Sequence, residues 1–395
     1  MEITVKELLQ QLSLQFQSHS ETAVLDAQVL LAHHLEKPRT WILAHPEALV
    51  TDAQHKKILQ SATRLEHGVP LPYVIGHWEF YGMDFILTPD VLIPRPETEL
   101  LVETAIKWLQ LHPQKRNAVD VGTGSGCIGI AIAKHIPDLL MVLTDLSSEA
   151  LTVARLNVEK HRLQDRLEIR QSDLLERFPA LFTFDLICAN LPYIPSSVLD
   201  TLSIAKSEPL PALDGGESGL IVIKRLLKQA ESRLSPGGLM LLEIDPAQRD
   251  QMIQLTQKHF PSTKVQILND LSGKDRCVTI ELPFMIYHLC QRQEWMNSQK
   301  QGEFRDTSLV QDGFIHCSQY DQVTEVANRY YKGVPDMVVL CLEPGKLISE
   351  IRWEKVGSEY YPHIYGPINL EAVNKIIAIE PISDGTYPAI PGLLY

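Results

Sequence analysis

Apolar residues in the first seventy positions recur at the three-to-four-residue spacing of amphipathic helices. Thr4-x-x-Glu7 and Thr51-x-x-Gln54 have the form of capping boxes, which start helices. We therefore predict a small helical bundle over residues 1–72, in which one stripe comprises Val5, Leu8, Leu9 and Leu12 and a second comprises Leu25, Val29, Leu30, Ala32 and Leu35.

The pattern changes to alternating aromatic and β-branched residues between Pro70 and Pro96. Such alternation around Gly76 and Gly82 predicts a β-hairpin, within residues 73–96, that links the bundle to the next domain. Two prolines then hold Arg95 in an extended backbone, and Thr98 or Glu97 is expected to open a helix. This stiff segment is either a helix entry alone or a binding element that uses Arg95.

Residues 97–283 alternate short apolar runs with helical stretches, which predicts an α/β domain with a Rossmann-like, seven-stranded sheet. Four of the runs end in polar or small residues that are expected to meet at one edge of the sheet. Ser235-Pro236-Gly237-Gly238 predicts a turn between a helix over 221–234 and a strand over 239–244, and a hairpin over 264–282 closes the sheet.

The remaining residues, 284–395, mix short strands and helices in the manner of a small α+β domain. Predicted strand ends carry His316, Glu354 and His363, with Trp353 and Tyr365 nearby. Two interpretations stay open for this group: satisfied polar residues of a compact domain, or a shared pocket.

Length, composition and charge exclude several classes of protein for this sequence. A chain of 395 residues with 45% hydrophobic and 22% charged residues is typical of a globular protein with two or three domains. No apolar run is long enough to span a bilayer and the N-terminus lacks the features of a signal peptide, so we expect a cytoplasmic protein without a membrane partner. A net charge of −13 argues against nonspecific binding to nucleic acid. The six cysteines form no C-x-x-C pair, which predicts buried apolar residues rather than disulfides or a metal site.

The first candidate site is a glycine-rich turn between a strand and a helix, made of Gly122, Thr123, Gly124, Ser125 and Gly126. Its backbone N–H groups and the later Asp145, which can bind ribose hydroxyls, suit either a nicotinamide cofactor or S-adenosylmethionine. Asp120, ahead of the glycines, and the strand end Gln171-Ser172-Asp173 favour a cofactor with an amino-acid tail and an adenine over one with a pyrophosphate.

The second candidate site is Asn190-Leu191-Pro192-Tyr193, which follows the apolar run 186–189. An asparagine carbonyl can accept a hydrogen from an NH2 group, the proline directs the preceding carbonyl, and the tyrosine ring offers a stacking surface. The motif is therefore suited to holding a planar NH2 group, although a polar turn after a strand would look similar.

Together these motifs resemble the release factor glutamine methyltransferases, which use S-adenosylmethionine to modify the Gly-Gly-Gln loop of peptide chain release factors. The resemblance covers residues 1–283 and rests on GHWEFYG (76–82), VLIPRPETE (91–99), DVGTGSG, NLPY, EPLPALDGG (208–216) and DLSGKDR (270–276). It implies that Asn190, Leu191, Pro192 and Tyr193 are catalytic and, with Arg95, bind the substrate. It also implies that the cofactor contacts Gly122, Thr123, Gly124, Ser125, Gly126, Asp145, Asp173, Leu174 and Asn190.

The chain departs from that family in ways that leave alternatives open. Leu191 stands where the family usually has proline, which predicts a less rigid loop with catalysis retained because the contact uses a backbone carbonyl. NLPY also resembles the rRNA adenine dimethyltransferases, so an adenine-N6 methyltransferase of DNA or RNA is the alternative. Residues 284–395 resemble the DUF952 family through DGFIHCS and PHIYGP, and could be a binding module or an ADP-ribosyltransferase-like domain.

Overall fold

The computed structural model describes residues 3–18, 20–179, 182–261, 263–357, 359–390 and 393. Its first part is a helical bundle with a short two-stranded sheet. Both predicted capping boxes are confirmed. The Thr4 and Thr51 hydroxyl oxygens each accept the backbone N–H of the residue three positions ahead, and the backbone N–H of each threonine donates to the side chain of that same residue. The elements are β1 (Ile3–Thr4), α1 (Val5–Phe16), α2 (Ala23–Leu35), α3 (Arg39–Ala44), β2 (Leu49–Val50), α4 (Asp52–Glu66) and α5 (Leu71–Ile75).

The predicted hairpin follows as β3 (His77–Phe80) and β4 (Met83–Ile86). Phe80 and Phe85 are buried in the same apolar core as the helices that follow, so the hairpin packs into the central domain. Asn157 fastens it there: its side chain accepts from the Ile86 N–H at 2.7 Å and donates to the Ile86 carbonyl at 3.0 Å. The same amide group donates to the Ser125 carbonyl at 2.9 Å, which ties the hairpin to the glycine-rich turn.

The central domain is α/β with a seven-stranded sheet, as the apolar runs predicted. Strand order is β10-β11-β9-β8-β5-β6-β7, in which the five strands β5 to β9 are parallel to one another and β11 pairs antiparallel with both β9 and β10. The strands are β5 (Asn117–Val121), β6 (Leu140–Asp145), β7 (Leu167–Gln171), β8 (Phe184–Ala189), β9 (Leu234–Glu243), β10 (Lys264–Asn269) and β11 (Asp275–Glu281). The helices are α6 (Glu99–Leu111), α7 (Cys127–His135), α8 (Ser148–His161), α9 (Ser196–Leu199), α10 (Ile221–Ala230) and α11 (Arg249–His259).

This order places β5, the first strand of the sheet along the chain, beside β8, the fourth. The connections on either side of that pair run in opposite directions, which opens a crevice at the carboxyl ends of the two strands. Both candidate motifs follow directly from these ends: the glycine-rich turn from Val121 and the asparagine motif from Ala189. The fold therefore brings them together.

One local prediction in this domain is wrong. The residues from Ser235 to Gly238 lie inside β9 and not in a turn, because the strand continues past an irregularity in its pairing with β8. Gly237 permits this with a φ of +65°. Thr98, one of the two residues expected to open a helix, directly precedes α6, although its side chain makes no capping bond and it ends a 3-10 turn, Pro96–Thr98.

The C-terminal part is a strand-rich α+β unit. Its cores comprise apolar residues on both sides of a three-stranded sheet, β12-β15-β19, next to the sheet β14-β17-β16. The elements are β12 (Ile286–Gln291), α12 (Arg292–Gln301), β13 (Glu303–Phe304), α13 (Ser308–Gln311), β14 (Ile315–His316), α14 (Val323–Tyr330), β15 (Met337–Leu342), β16 (Glu350–Val356), β17 (Glu359–Tyr365), β18 (Ile368–Asn369) and β19 (Val373–Ile379).

All six cysteines of the chain are buried and none forms a disulfide, as predicted. Among the helices in the described part of the chain, none combines the length and apolar character that crossing a bilayer requires.

Candidate active site

The glycine-rich turn lies over Asp120, the most deeply buried acid of the site. Asp120 Oδ2 accepts from the Thr123 hydroxyl at 2.6 Å and from the Gly129 N–H at 3.0 Å, at the start of α7. Burial raises the pKa of Asp120 to about 6, against the lowering effect of those two bonds. Its Oδ1 is buried and has no hydrogen-bond partner among the described residues. An unsatisfied acidic oxygen beneath the turn fits a cofactor with a cationic amino-acid tail, as S-adenosylmethionine has.

Asp145, at the end of β6, braces the turn from the other side. Its Oδ2 accepts from the Gly124 N–H at 2.9 Å and its Oδ1 from the Ser147 N–H at 3.0 Å. Burial raises the pKa of Asp145, with these backbone bonds opposing the rise. Each carboxylate oxygen keeps a further lone pair, so the position suits a pair of ribose hydroxyls.

The two residues expected to flank an adenine lie just beyond β7. Leu174 is buried and adopts a left-handed backbone, φ +53°, which a non-glycine residue rarely does. The Asp173 carboxylate forms an ion pair with Arg225, with the two groups 2.6 Å apart. The Asp173 carboxylate is therefore already paired with a cation at the position where the resemblance leads us to expect an adenine contact.

The asparagine motif meets the glycine-rich turn at the crevice. A Cβ placed on Gly122 would lie 2.8 Å from Leu191 Cδ2 and 4.0 Å from the Asn190 carbonyl oxygen, so the two motifs are in contact. Leu191 is buried among the apolar residues beneath the sheet edge. Its backbone oxygen accepts no hydrogen bond from the residues that the structure describes.

The Asn190 side chain has a defined orientation. Its Nδ2 donates to the Thr98 hydroxyl at 3.1 Å, whereas its Oδ1 has no hydrogen-bond partner within the described ranges. The Thr98 hydroxyl in turn donates to Glu243 Oε2 at 2.6 Å, and the Tyr193 hydroxyl donates to Glu243 Oε1 at 3.2 Å. Asn190 thus presents an acceptor oxygen, as binding an NH2 group requires.

Glu243 ends β9 and is only 2% exposed. Burial raises its pKa, while the hydrogen bonds from Thr98 and Tyr193 and the charge of Arg276 oppose that rise. The same burial, with the nearby Glu243 charge, raises the pKa of Tyr193. Neither Thr98 nor Glu243 was singled out from the sequence as a site residue. The signal for Glu243 was available: an acidic residue at the carboxyl end of the apolar run Leu239–Leu242.

Two loops hold the asparagine motif in place. Gln248 donates to the Tyr193 carbonyl at 2.8 Å and to the Gly219 carbonyl at 3.3 Å. Ile194 pairs with the loop 208–216 through the bonds Ile194 N–H to the Leu213 carbonyl, 3.1 Å, and Gly215 N–H to the Ile194 carbonyl, 2.8 Å. Hydrogen bonds to the backbone of Tyr193 and Ile194 therefore hold the C-terminal side of the motif in position.

Arg95 lies at the same side of the domain, in an ion pair with Glu208. The Glu208 side chain is nearly buried and also accepts from the Ile93 N–H at 3.0 Å. About a third of the Arg95 side chain remains exposed. The structure thus shows Arg95 joining the segment 91–99 to the loop 208–216, with part of its surface available to a substrate.

In the C-terminal unit, the residues singled out from the sequence form one cluster. His316 and His363 face each other across β14 and β17, with ring centres 5.0 Å apart. His363 Nδ1 bonds Glu354 Oε2 at 2.5 Å, and the Tyr365 hydroxyl donates to Glu354 Oε1 at 2.8 Å. Trp353 lies instead against Phe284.

Three family models match separate parts of the chain. Residues 7–76 match the family model described as PrmC N-terminal domain, residues 96–206 the Methyltransferase small domain, and residues 289–376 the Protein of unknown function (DUF952). Among solved structures, protein CC0527 from Caulobacter crescentus is 30% identical, covers 26% of this chain and 93% of its own, and has a TM-score of 0.25. A ribosomal protein L11 methylase from Lactobacillus delbrueckii subsp. bulgaricus is 23% identical. The match covers 49% of this chain and 82% of the methylase, with a TM-score of 0.35.

The curated relatives are more informative. A release factor glutamine methyltransferase of Koribacter versatilis is 37% identical over 263 residues, which is 66% of this chain and 91% of the relative. One of Moorella thermoacetica is 39% identical over 255 residues, 64% of this chain and 89% of the relative. With near-complete coverage of these relatives, and with an acceptor oxygen beside a glycine-rich turn in its crevice, this chain belongs to the release factor glutamine methyltransferase family.

Proposed function

We propose that this protein transfers the methyl group of S-adenosylmethionine to the side-chain amide nitrogen (N5) of the glutamine in the Gly-Gly-Gln motif of peptide chain release factors. The observation that carries the proposal is the orientation of Asn190, whose Nδ2 is bound to Thr98 so that Oδ1 is left to accept a hydrogen. The names of the relatives support release factors as the substrate.

An amide nitrogen is a poor nucleophile because its lone pair is delocalised into the carbonyl, so the main task of the site is orientation. We assign the two N–H hydrogens of the substrate amide to Asn190 Oδ1 and the Leu191 carbonyl oxygen, neither of which is engaged by a described residue. Two acceptors fix the plane of the amide and the direction of its nitrogen. Positioning of this kind supplies roughly 7–11 kcal/mol in favourable cases.

The cofactor is assigned to the turn from Gly122 to Gly126 and to the acids around it. Asp145 would hold the ribose hydroxyls and Asp173 the adenine amino group, with Leu174 packing on the ring. Bound S-adenosylmethionine supplies an electrophilic methyl group. The contact between Gly122 and Leu191 supports this assignment, because it brings the cofactor turn and the substrate acceptors to one crevice.

The test is to incubate the full chain with labelled S-adenosylmethionine and purified release factors, and to identify the modified residue by mass spectrometry. We expect one methyl group on the glutamine of the Gly-Gly-Gln peptide. Asn190→Ala should lower the methylation rate steeply and retain cofactor binding, whereas Asn269→Ala, which removes an exposed asparagine of β10, should leave turnover unchanged.

Two results would overturn the proposal. One is wild-type turnover by Asn190→Ala. The other is label transferred to adenine in a DNA or RNA oligonucleotide offered in the same assay, with none on the release factors, which would assign the motif to a flipped base.

A further inference from the structure

Three polar side chains from separate elements form a continuous hydrogen-bonded chain behind Asn190. Asn190 Nδ2 donates to Thr98, Thr98 donates to Glu243, and Tyr193 donates to the second oxygen of Glu243. Thr98 ends the 3-10 turn before α6, Glu243 ends β9, and Asn190 and Tyr193 follow β8. This series of hydrogen bonds therefore links the ends of β8 and β9 to the segment that precedes α6.

The direction of each bond follows from the chemistry of Glu243. A carboxylate only accepts hydrogen bonds, so the single hydrogen of the Thr98 hydroxyl must go to Glu243. The oxygen of Thr98 then has only lone pairs to offer Asn190, and these attract the NH2 end of the side-chain amide. The amide is consequently turned with Oδ1 away from Thr98.

We propose that Thr98 and Glu243 are positioning residues, which set the carboxamide of Asn190 in the orientation that accepts a hydrogen from the substrate amide. The inference rests on the proposed function and extends it to two residues that do not touch the substrate. With the opposite orientation, Asn190 would present an NH2 group to another NH2 group, and the substrate would lose one of its two acceptors.

A purely structural role explains the arrangement less well. Thr98 stands at the start of α6, where threonine normally caps the helix, yet its hydroxyl makes no cap. Burying a carboxylate costs free energy unless its oxygens are satisfied. Here one Glu243 oxygen accepts from Tyr193, which belongs to the asparagine motif, and the other accepts from Thr98, which is bonded to Asn190. The polar chain is thus directed at Asn190 and not at a helix end.

The first test compares Thr98→Val, which keeps the shape but removes the hydroxyl, with Thr98→Ser, which keeps the hydroxyl. We expect Thr98→Val to lower kcat roughly 10- to 100-fold, the equivalent of one misdirected hydrogen bond, with little change in cofactor affinity. Thr98→Ser should restore most of the rate. Thr256→Val is the matched control, since Thr256 is buried in α11 and its hydroxyl has no partner among the described residues.

The second test is Glu243→Gln, whose amide can donate to Thr98 and so allow the Asn190 amide to turn over. We expect a similar fall in kcat, and no change for Glu281→Gln, which removes a charge from β11 at a carboxylate bonded to Trp108. In an Asn190→Ala background neither Thr98→Val nor Glu243→Gln should lower the remaining rate further, because their effect acts through Asn190.

The outcomes separate the two proposals. If the wild type methylates release factors and Thr98→Val retains its kcat, or if Thr98→Val and Thr98→Ser lose rate equally, the positioning role is refuted while the proposed function stands. The role is also refuted if the losses add fully to that of Asn190→Ala. A wild type without activity on release factors refutes the proposed function itself.

Discussion

Asn157 in α8 joins the hairpin β3–β4 to the glycine-rich turn, and its removal is predicted to loosen both. The residue is completely buried and makes three hydrogen bonds: from the Ile86 N–H, to the Ile86 carbonyl and to the Ser125 carbonyl. Asn157→Ala leaves those three backbone groups without the partner they have now. At a net value of about 1 kcal/mol for each bond, we expect a loss of about 3 kcal/mol in local stability.

Amide hydrogen exchange measured by mass spectrometry is a suitable assay, because it gives the opening free energy of separate segments in a chain with several domains. Peptides covering β4 and the turn from Gly122 to Gly126 should exchange about 100-fold faster in Asn157→Ala, as about 3 kcal/mol requires. Peptides of the N-terminal bundle and the C-terminal unit should not change. Affinity for S-adenosylmethionine should fall as well, since Ser125 belongs to the turn.

The control is Asn269→Ala. Asn269 also donates two hydrogen bonds, to Gly273 and Asp275, but in an exposed hairpin where water replaces them. We expect a change below about 1 kcal/mol there. The reasoning about Asn157 is refuted if Asn157→Ala exchanges at the wild-type rate in both segments, or if the two variants lose equal stability.

Three further predictions concern the site. Gly219→Ala should lose most of its kcat, because Gly219 has a φ of +70° and an added Cβ would lie 2.3 Å from the Tyr193 carbonyl oxygen. The control is Gly273→Ala, which should keep its kcat because Gly273 has a similar φ of +78° but no atom within 4 Å of an added Cβ. Leu191→Ala should destabilise the domain by about 2–5 kcal/mol in thermal unfolding, since Leu191 is buried, and unchanged stability would contradict its packing role. Because burial raises the pKa of Asp120 from 3.8 to about 6, native Asp120 binds a proton that the unfolded chain has released, so the free energy of unfolding should fall by about 3 kcal/mol as pH rises from about 3 to about 7. Denaturant titrations of Asp120→Asn at several pH values should lack this pH-dependent fall in the free energy of unfolding. A pH profile identical to that of the wild type would contradict the assignment to Asp120.

Local patterns predicted most of the elements. The capping boxes at Thr4 and Thr51 depend on bonds within four residues, and the hairpin from Lys264 to Leu282 on a turn and two flanking strands, so both were recognisable without the fold. The Ser235–Gly238 segment was misjudged because its serine, proline and glycines are typical of a turn. Pairing with β8, which is remote in the chain, keeps it in a strand.

The sequence by itself determined the division into a helical bundle, an α/β domain and an α+β unit, and it named the two motifs at the sheet edge. Periodicity and motif spacing carry that information because they are properties of neighbouring residues. Tertiary structure alone decided which side chains form hydrogen bonds with Asn190 of the second motif. Thr98, Asn190 and Glu243 are far apart in the chain, and their contact exists because β8 and β9 end side by side under the segment that leads into α6. Which end of the Asn190 amide faces the crevice is therefore set by a buried carboxylate that no local pattern connects to it.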